Sequence, residues 1–135
     1  MREAAEVCPV LSGANFTTGG TDGPGLDDAA LAQLALGNNV WGLLARLADV
    51  QRVAELFHRA GWRVRRSSWT EFEVENACAA LELCPGEPVL FSGFVDPDRI
   101  ADLLDTLNGT RLSFSVEFED REGREHVYRS ADWQG

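Results

Sequence analysis

Two segments of this 135-residue chain repeat one pattern at an offset of 47 positions. The sequence "DVQRVAELFHRAG" begins at Asp49, and "DPDRIADLLDTLNG" begins at Asp96. In both, the aspartate stands where a carboxylate accepts the first free amides of a helix, and the apolar residues that follow recur every three or four positions. Gly61 and Gly109 come where a left-handed residue is expected to terminate each helix. The pattern therefore predicts two similar amphipathic helices.

The residues around these helices extend the match. An apolar run precedes each helix, at 41–48 and at 88–95, and predicts a buried strand. Alternating segments follow each helix, and both contain the letters "EFE", at 71–73 and at 117–119. The letters "DREG" at 120–123 predict a hairpin turn between the last two strands.

We therefore predict an α+β fold. It consists of two tandem β-α-β-β(-β) repeats, residues 41–84 and 88–131, which form a mostly antiparallel sheet with the helices packed on one side. Residues 1–40 lie outside the repeat and predict a glycine-rich loop, then a short helix over 26–38 that covers an edge or a face of the sheet. The predicted domains are an N-terminal segment, 1–40, and a duplicated unit, 41–135, within a single compact domain.

Acidic residues dominate both ends of the chain. The formal net charge is −10, with 22 acidic residues against 12 basic ones, and the middle third, 41–84, carries equal numbers of each. Such a charge repels nucleic-acid phosphates and anionic lipid head groups, and it attracts basic partners. We therefore predict a basic protein partner, and neither nucleic-acid nor membrane binding.

Export is not predicted from this sequence. No apolar run near Met1 resembles a signal peptide, and no stretch approaches about 18 apolar residues. Cys78 and Cys84, taken as part of one strand, would lie about 20 Å apart, which is beyond the reach of a disulfide. The expected location is the cytoplasm. The basic residues are all arginine, which is typical of a GC-rich bacterial genome.

The sequence predicts no catalytic residues. The two histidines, His58 and His126, have no motif that places a serine beside them, and no cysteine has an evident basic activator. The glycines in 13–25 are not followed by the Gly-Lys-Ser/Thr of a phosphate-binding loop. The sequence favours a binding protein over an enzyme, leaves catalysis open, and predicts no cofactor.

Four glutamates are candidate binding residues. They are Glu71, Glu73, Glu117 and Glu119, which alternate with core residues in the two "EFE" strands, so we expect them to face outward. Trp69 lies two positions before Glu71, so the same alternation places it on the same face. They form either an ordinary solvated face or an acidic binding surface, in which an exposed Trp anchors a cationic partner.

An acidic binding surface suggests one class of function. The chain would be a non-catalytic protein of the immunity or inhibitor type, which neutralises a basic protein such as a bacterial toxin. Because the open edges of a sheet often pair, a homodimer is also compatible with the predicted fold.

The paired modules also resemble the vicinal-oxygen-chelate superfamily, which includes the glyoxalases and the bleomycin-resistance proteins. The resemblance covers residues 41–131 and depends on the order strand, Asp-capped helix and glycine, then "WTEFEVENACAALEL" in the first half and "FEDREGREHVY" in the second. It implies an alternative function, the binding of a small molecule such as an antibiotic or a metabolite, with or without a metal. The inner face of the sheet would then line a cup with Trp41, Phe91 and Phe114 as its walls.

The same resemblance implies metal ligands from strands of both modules. His126 in the last strand and Glu82 in the corresponding strand of the first half are the two candidates. The opening strands supply no His, Glu or Asp, whereas a catalytic metal takes about three protein ligands. We therefore predict no metal site.

Overall fold

The computed structural model describes residues 16–44 and 49–133. These residues form one antiparallel sheet of seven strands, with three α-helices and two short 3₁₀ turns. The strands are β1 Val40–Leu44, β2 Arg63–Arg66, β3 Phe72–Glu75, β4 Ala79–Cys84, β5 Val89–Val95, β6 Phe114–Glu119 and β7 Glu125–Arg129. The helices are α1 Asp28–Leu31, α2 Val50–Arg59 and α3 Ile100–Thr110, and the 3₁₀ turns are Leu34–Leu36 and Pro97–Arg99. The α+β class and the antiparallel sheet are confirmed.

The sheet buries one face, called the inner face, against α2 and α3. Strand β6 shows why, since its alternate residues point inward and are all apolar. The inner face and the two helices share one core, whose members include Val40, Val64, Val74, Leu81, Phe91, Val116, Phe118, Val53, Phe57, Leu103 and Leu107. Gly42 also lies on this face, and a Cβ there would come within 2.2 Å of Cζ of Phe91. The missing side chain therefore makes room for the Phe91 ring.

Helix α2 begins and ends as the sequence predicts. The carboxylate of Asp49 accepts a hydrogen bond from the backbone N–H of Arg52 at 2.7 Å, and Gly61 follows the helix in a left-handed conformation, with φ of 96°. Trp62 then packs edge-on against Phe57 and donates its indole N–H to Thr106 of α3. This residue therefore joins the two helices over the sheet.

Helix α3 departs from the prediction at its end. The carboxylate of Asp96 caps a 3₁₀ turn that precedes the helix, by accepting from the N–H of Asp98 at 3.0 Å. The helix then continues through Gly109 and ends at Arg111, which takes the left-handed conformation at φ of 64°. The prediction for Gly109 is wrong because the hydroxyl of Thr110 accepts the N–H of Leu112 at 3.2 Å, so the turn closes without a glycine.

The strand order is β2-β3-β4-β5-β1-β6-β7, and it places the two halves differently. Helix α2 carries the chain from β1 across three strands to β2, whereas α3 carries it from β5 across one strand to β6. A twofold axis between β1 and β5 would exchange β4 with β6, whereas the sequence match aligns β3 with β6. The matched strands that follow the two helices therefore do not occupy equivalent positions, and the tandem repeat stays a prediction.

Residues of the N-terminal segment cover one edge and part of one face. Thr17 and Thr21 lie along the edge of β2 that points away from β3. There Arg66 donates its N–H to the Thr17 carbonyl and Thr21 donates its N–H to the Val64 carbonyl, both at 2.8 Å. The chain then crosses the face opposite the inner face, where the N–H of Leu26 donates to Glu75 at 2.8 Å. The short helix predicted over 26–38 is present as α1 and a 3₁₀ turn, capped by Asp27.

Candidate functional site

The face of the sheet opposite α2 and α3, called the outer face, is the candidate site. One row of directly opposed residues crosses all seven strands of this face. From β2 to β7 the row is Arg65, Glu73, Glu82, Ser92, Trp41, Glu117 and Val127. It combines carboxylates with apolar side chains that stand in solvent, because Trp41 is 42% exposed and Val127 is 52% exposed.

The glutamates predicted from the sequence fall into two groups on this side of the sheet. Glu73 lies on β3, with Glu71 just before it, and Glu117 and Glu119 lie on β6. Strands β4, β5 and β1 stand between the groups, so they are about 19 Å apart at the usual spacing of strands. The sequence pattern found the direction in which these side chains point but not their separation.

The two exposed tryptophans occupy different places. Trp69 lies in the turn between β2 and β3 and is 92% exposed, while its carbonyl accepts a hydrogen bond from the Arg66 guanidinium at 2.6 Å. Trp41 stands near the middle of the outer face, because Val40 and Leu44 of the same strand point into the core. The sequence could not show which face Trp41 lies on, since no charged or polar residue alternates with apolar ones in "VWGLL".

The cup predicted from the family resemblance is wrong for these residues. Phe91 and Phe114 are each only 2% exposed and belong to the packed core beneath the helices. Trp41 points away from them, on the outer face. These three side chains therefore do not line a common cavity.

The two candidate metal ligands lie on opposite faces of the sheet. Glu82 shares the outer row, whereas His126 pairs with the inward-facing Phe118 and stacks beside Tyr128. The Nε2 atom of His126 lies 2.8 Å from a carboxylate oxygen of Asp120. The hydrogen bond with His126 is the main cause that holds the pKa of Asp120 below its usual value, and the hydrogen bond from the N–H of Arg124 is the second. No group of three or more His, Cys, Asp or Glu side chains within 16–44 and 49–133 could hold a metal.

A polar network that the sequence did not predict fixes the N-terminal segment to the sheet. The Arg99 guanidinium donates to both carboxylate oxygens of Asp27, at 2.7 and 2.8 Å, and its Nε donates to Asp96 at 3.0 Å. Gln33 donates to the other oxygen of Asp96 at 3.1 Å. The hydrogen bonds from Arg99 and from the N–H of Ala30 lower the pKa of Asp27 to about 2. In the sequence these residues look like ordinary helix caps or surface charges. No sequence pattern indicates that Asp27 and Arg99, 72 positions apart, are in contact.

A shallow depression of about 230 Å³ lies on the outer face beside this segment. Its walls include Asn38, Ser92 and the carboxylates of Glu73, Glu75 and Glu82. Glu73 is paired with Arg65 at 2.6 Å, and Glu75 accepts the N–H of Leu26. Among the described residues, the partly exposed Glu82 has no hydrogen-bond or ion-pair partner.

No protein-family model, curated protein or solved structure matches this chain. In the part of the chain that the structure describes, no helix combines the length and the apolar character needed to cross a membrane.

Proposed function

We propose that this chain is a non-catalytic acidic binding protein that neutralises a basic protein partner, as immunity proteins do for bacterial toxins. The observation that carries the proposal is the outer row of the sheet. There Glu73, Glu82 and Glu117 stand in line with the exposed Trp41, on a face that α2 and α3 leave open.

The spacing within this row suits a cationic side chain. Glu117 is directly opposite Trp41 on the neighbouring strand, about 5 Å away, and Glu82 is two strands away on the other side, about 10 Å. An Arg or Lys that stacks on the Trp41 ring gains a cation–π contact, and the carboxylates then hold its charge.

The composition of the face also favours a protein partner. The exposed apolar residues of this face are Trp41, Leu90 and Val127. Glu117 lies directly opposite both Trp41 and Val127, so these two combine an apolar surface with a neighbouring charge, as an anchor within a polar rim does. The net charge of −10 attracts a basic protein over longer distances and accelerates the encounter.

Affinity capture at low salt tests the proposal. The immobilised wild-type chain is compared with an outer-face variant, Trp41→Ala combined with Glu82→Gln. The control variant carries Asp102→Asn and Asp105→Asn on the exposed side of α3, where both residues are solvent-exposed. A basic protein retained by the wild type and by the control, and lost from the outer-face variant, supports the proposal.

Calorimetry with the purified partner supplies the second measurement. We expect Trp41→Ala to weaken binding by about 2 kcal/mol or more, as for an aromatic anchor, and added salt to weaken it further. A partner that binds the outer-face variant as tightly as the wild type, or a captured set without any basic protein, would contradict the proposal.

A further inference from the structure

Strand β7 forms one edge of the sheet, and within residues 16–44 and 49–133 no backbone hydrogen bond reaches its outward side. In an antiparallel pair, directly opposed residues alternate between those that exchange hydrogen bonds and those that do not. Ser130 donates its N–H to the Phe114 carbonyl, and Asp120 donates its N–H to the Arg124 carbonyl, which fixes the alternation along β7. The even-numbered residues of β7 therefore bond to β6. The N–H and C=O groups of Glu125, Val127 and Arg129 point away from the sheet.

The side chains of β7 are arranged symmetrically about Val127. Glu125 and Arg129, two residues before and after it, are exposed on the outer face and carry opposite charges. His126 and Tyr128, one residue before and after it, lie on the inner face with their rings nearly parallel. Val127 itself is 52% exposed.

We propose that two copies of this chain dimerise by pairing their β7 strands in antiparallel register, with Val127 opposite Val127 of the second copy. Every outward N–H and C=O of the strand then finds a partner, because residues 125, 127 and 129 all occupy hydrogen-bonding positions. Glu125 faces Arg129 of the second copy on the outer face, and His126 faces Tyr128 on the inner face. The inference is independent of the proposed function.

The rest of the sheet supports the choice of a second copy as the occupant. The opposite edge, β2, is already covered by Thr17 and Thr21, so it does not offer open backbone groups in the same way. Monomeric proteins usually protect an open edge with charged side chains, proline, a bulge or a covering segment. Strand β7 has no proline, and its two charges complement each other only when the strand meets itself in antiparallel register.

Charge reversal tests this register. In Glu125→Arg, both outer-face pairs of the dimer become Arg with Arg, and in Arg129→Glu both become Glu with Glu. We expect each variant alone to dimerise about tenfold less tightly than the wild type, measured by sedimentation velocity over a concentration series. An equimolar mixture of the two variants places Arg opposite Glu at both positions, and we expect it to recover the wild-type dimer.

Two further variants separate the register from loss of folding. The double variant Glu125→Arg with Arg129→Glu keeps the net charge and is expected to dimerise with itself as the wild type does. Val127→Pro removes an N–H that faces outward, so it is expected to abolish the dimer while the circular dichroism of the monomer is unchanged. Asp105→Arg, the same change of charge on α3, is the control and is expected to leave the dimer intact.

Three results would overturn the proposal. A wild-type chain that stays monomeric at every concentration removes the dimer. Single variants that sediment as the wild type does place the interface elsewhere, and a mixture that stays monomeric excludes the register centred on Val127.

Discussion

Gly42 leaves room for one aromatic ring in the core, and a methyl group at this position would meet that ring. We expect Gly42→Ala to lower the free energy of unfolding by about 1–3 kcal/mol, because the added carbon overlaps the ring of Phe91. The measurement is urea unfolding of the single variant, of Phe91→Leu and of the double variant. We expect Gly42→Ala to lower the free energy of unfolding less in the Phe91→Leu background than in the wild type, because leucine leaves space where the ring was. Strictly additive effects would show that the two residues are not in contact.

Arg99 keeps Asp27 ionised, and this makes stability depend on pH in a known direction. The folded-state pKa of Asp27 is lowered from 3.8 to about 2. A lowered pKa contributes stability that is fully present above the unfolded value near 3.8 and is lost as the pH falls towards 2. We expect the difference in unfolding free energy between the wild type and Asp27→Asn to be constant near neutral pH and to narrow as the pH falls from 3.8 towards 2, because Asn keeps the helix cap but not the charge.

The measurement for Asp27 is urea unfolding at a series of pH values. The matched control is Asp105→Asn, at an exposed aspartate that has no hydrogen-bond or ion-pair partner among the described residues. We expect this control to show no comparable narrowing. If the difference in unfolding free energy between the wild type and Asp27→Asn widens as the pH falls, Arg99 does not stabilise the ionised form of Asp27.

At the scale of elements, the two main helices end by different means although their sequences look alike. Gly61 follows α2 at φ of 96°, whereas Gly109 lies inside α3 and the left-handed residue is Arg111. Apart from the adjacent residues and, for Gly109, the backbone of its own helix, no atom of the described residues lies within 4 Å of the place where a Cβ of either glycine would stand. The two positions therefore differ in backbone conformation and not in crowding.

This difference gives a paired prediction. Gly109→Ala is expected to raise the free energy of unfolding by about 0.5–1 kcal/mol, because alanine is the better helix former. Gly61→Ala is expected to lower it by about 1 kcal/mol, because a Cβ strains the left-handed conformation. Thermal or urea unfolding of both variants measures the two effects, and equal signs would be inconsistent with the helix boundaries.

The sequence predicted those features that are decided locally. Asp49 caps its helix, "DREG" makes its turn and the "EFE" glutamates point outward, because each depends on neighbours within a few positions. It could not predict the order of the strands, because the path of α2 to the far edge depends on contacts between distant segments. The sequence analysis placed Trp41 on the wrong face for a related reason. Its pairing partners on β5 and β6 determine which face of the sheet it lies on, and they are distant in the sequence.

At the scale of the whole molecule, the separation of the two faces argues against a metal shared by both halves. His126 and Glu82 lie on opposite sides of the sheet. We expect Mg²⁺ or Mn²⁺ to leave the thermal unfolding midpoint unchanged within about 1 °C, because an ion that does not bind the folded state does not stabilise it. Differential scanning calorimetry with and without a chelator measures this. A saturable rise that disappears in His126→Gln or Glu82→Gln would refute the expectation.

The central position of β1 has a consequence for how the chain folds. Residues 40–44 come early in the chain, yet they pair with 89–93 on one side and with 114–118 on the other. Neither half can therefore complete its share of the sheet from its own residues. We expect a fragment that stops before 114 to remain unfolded and protease-sensitive, and the intact protein to acquire its structure slowly for its size, because the decisive pairings join distant parts of the polypeptide.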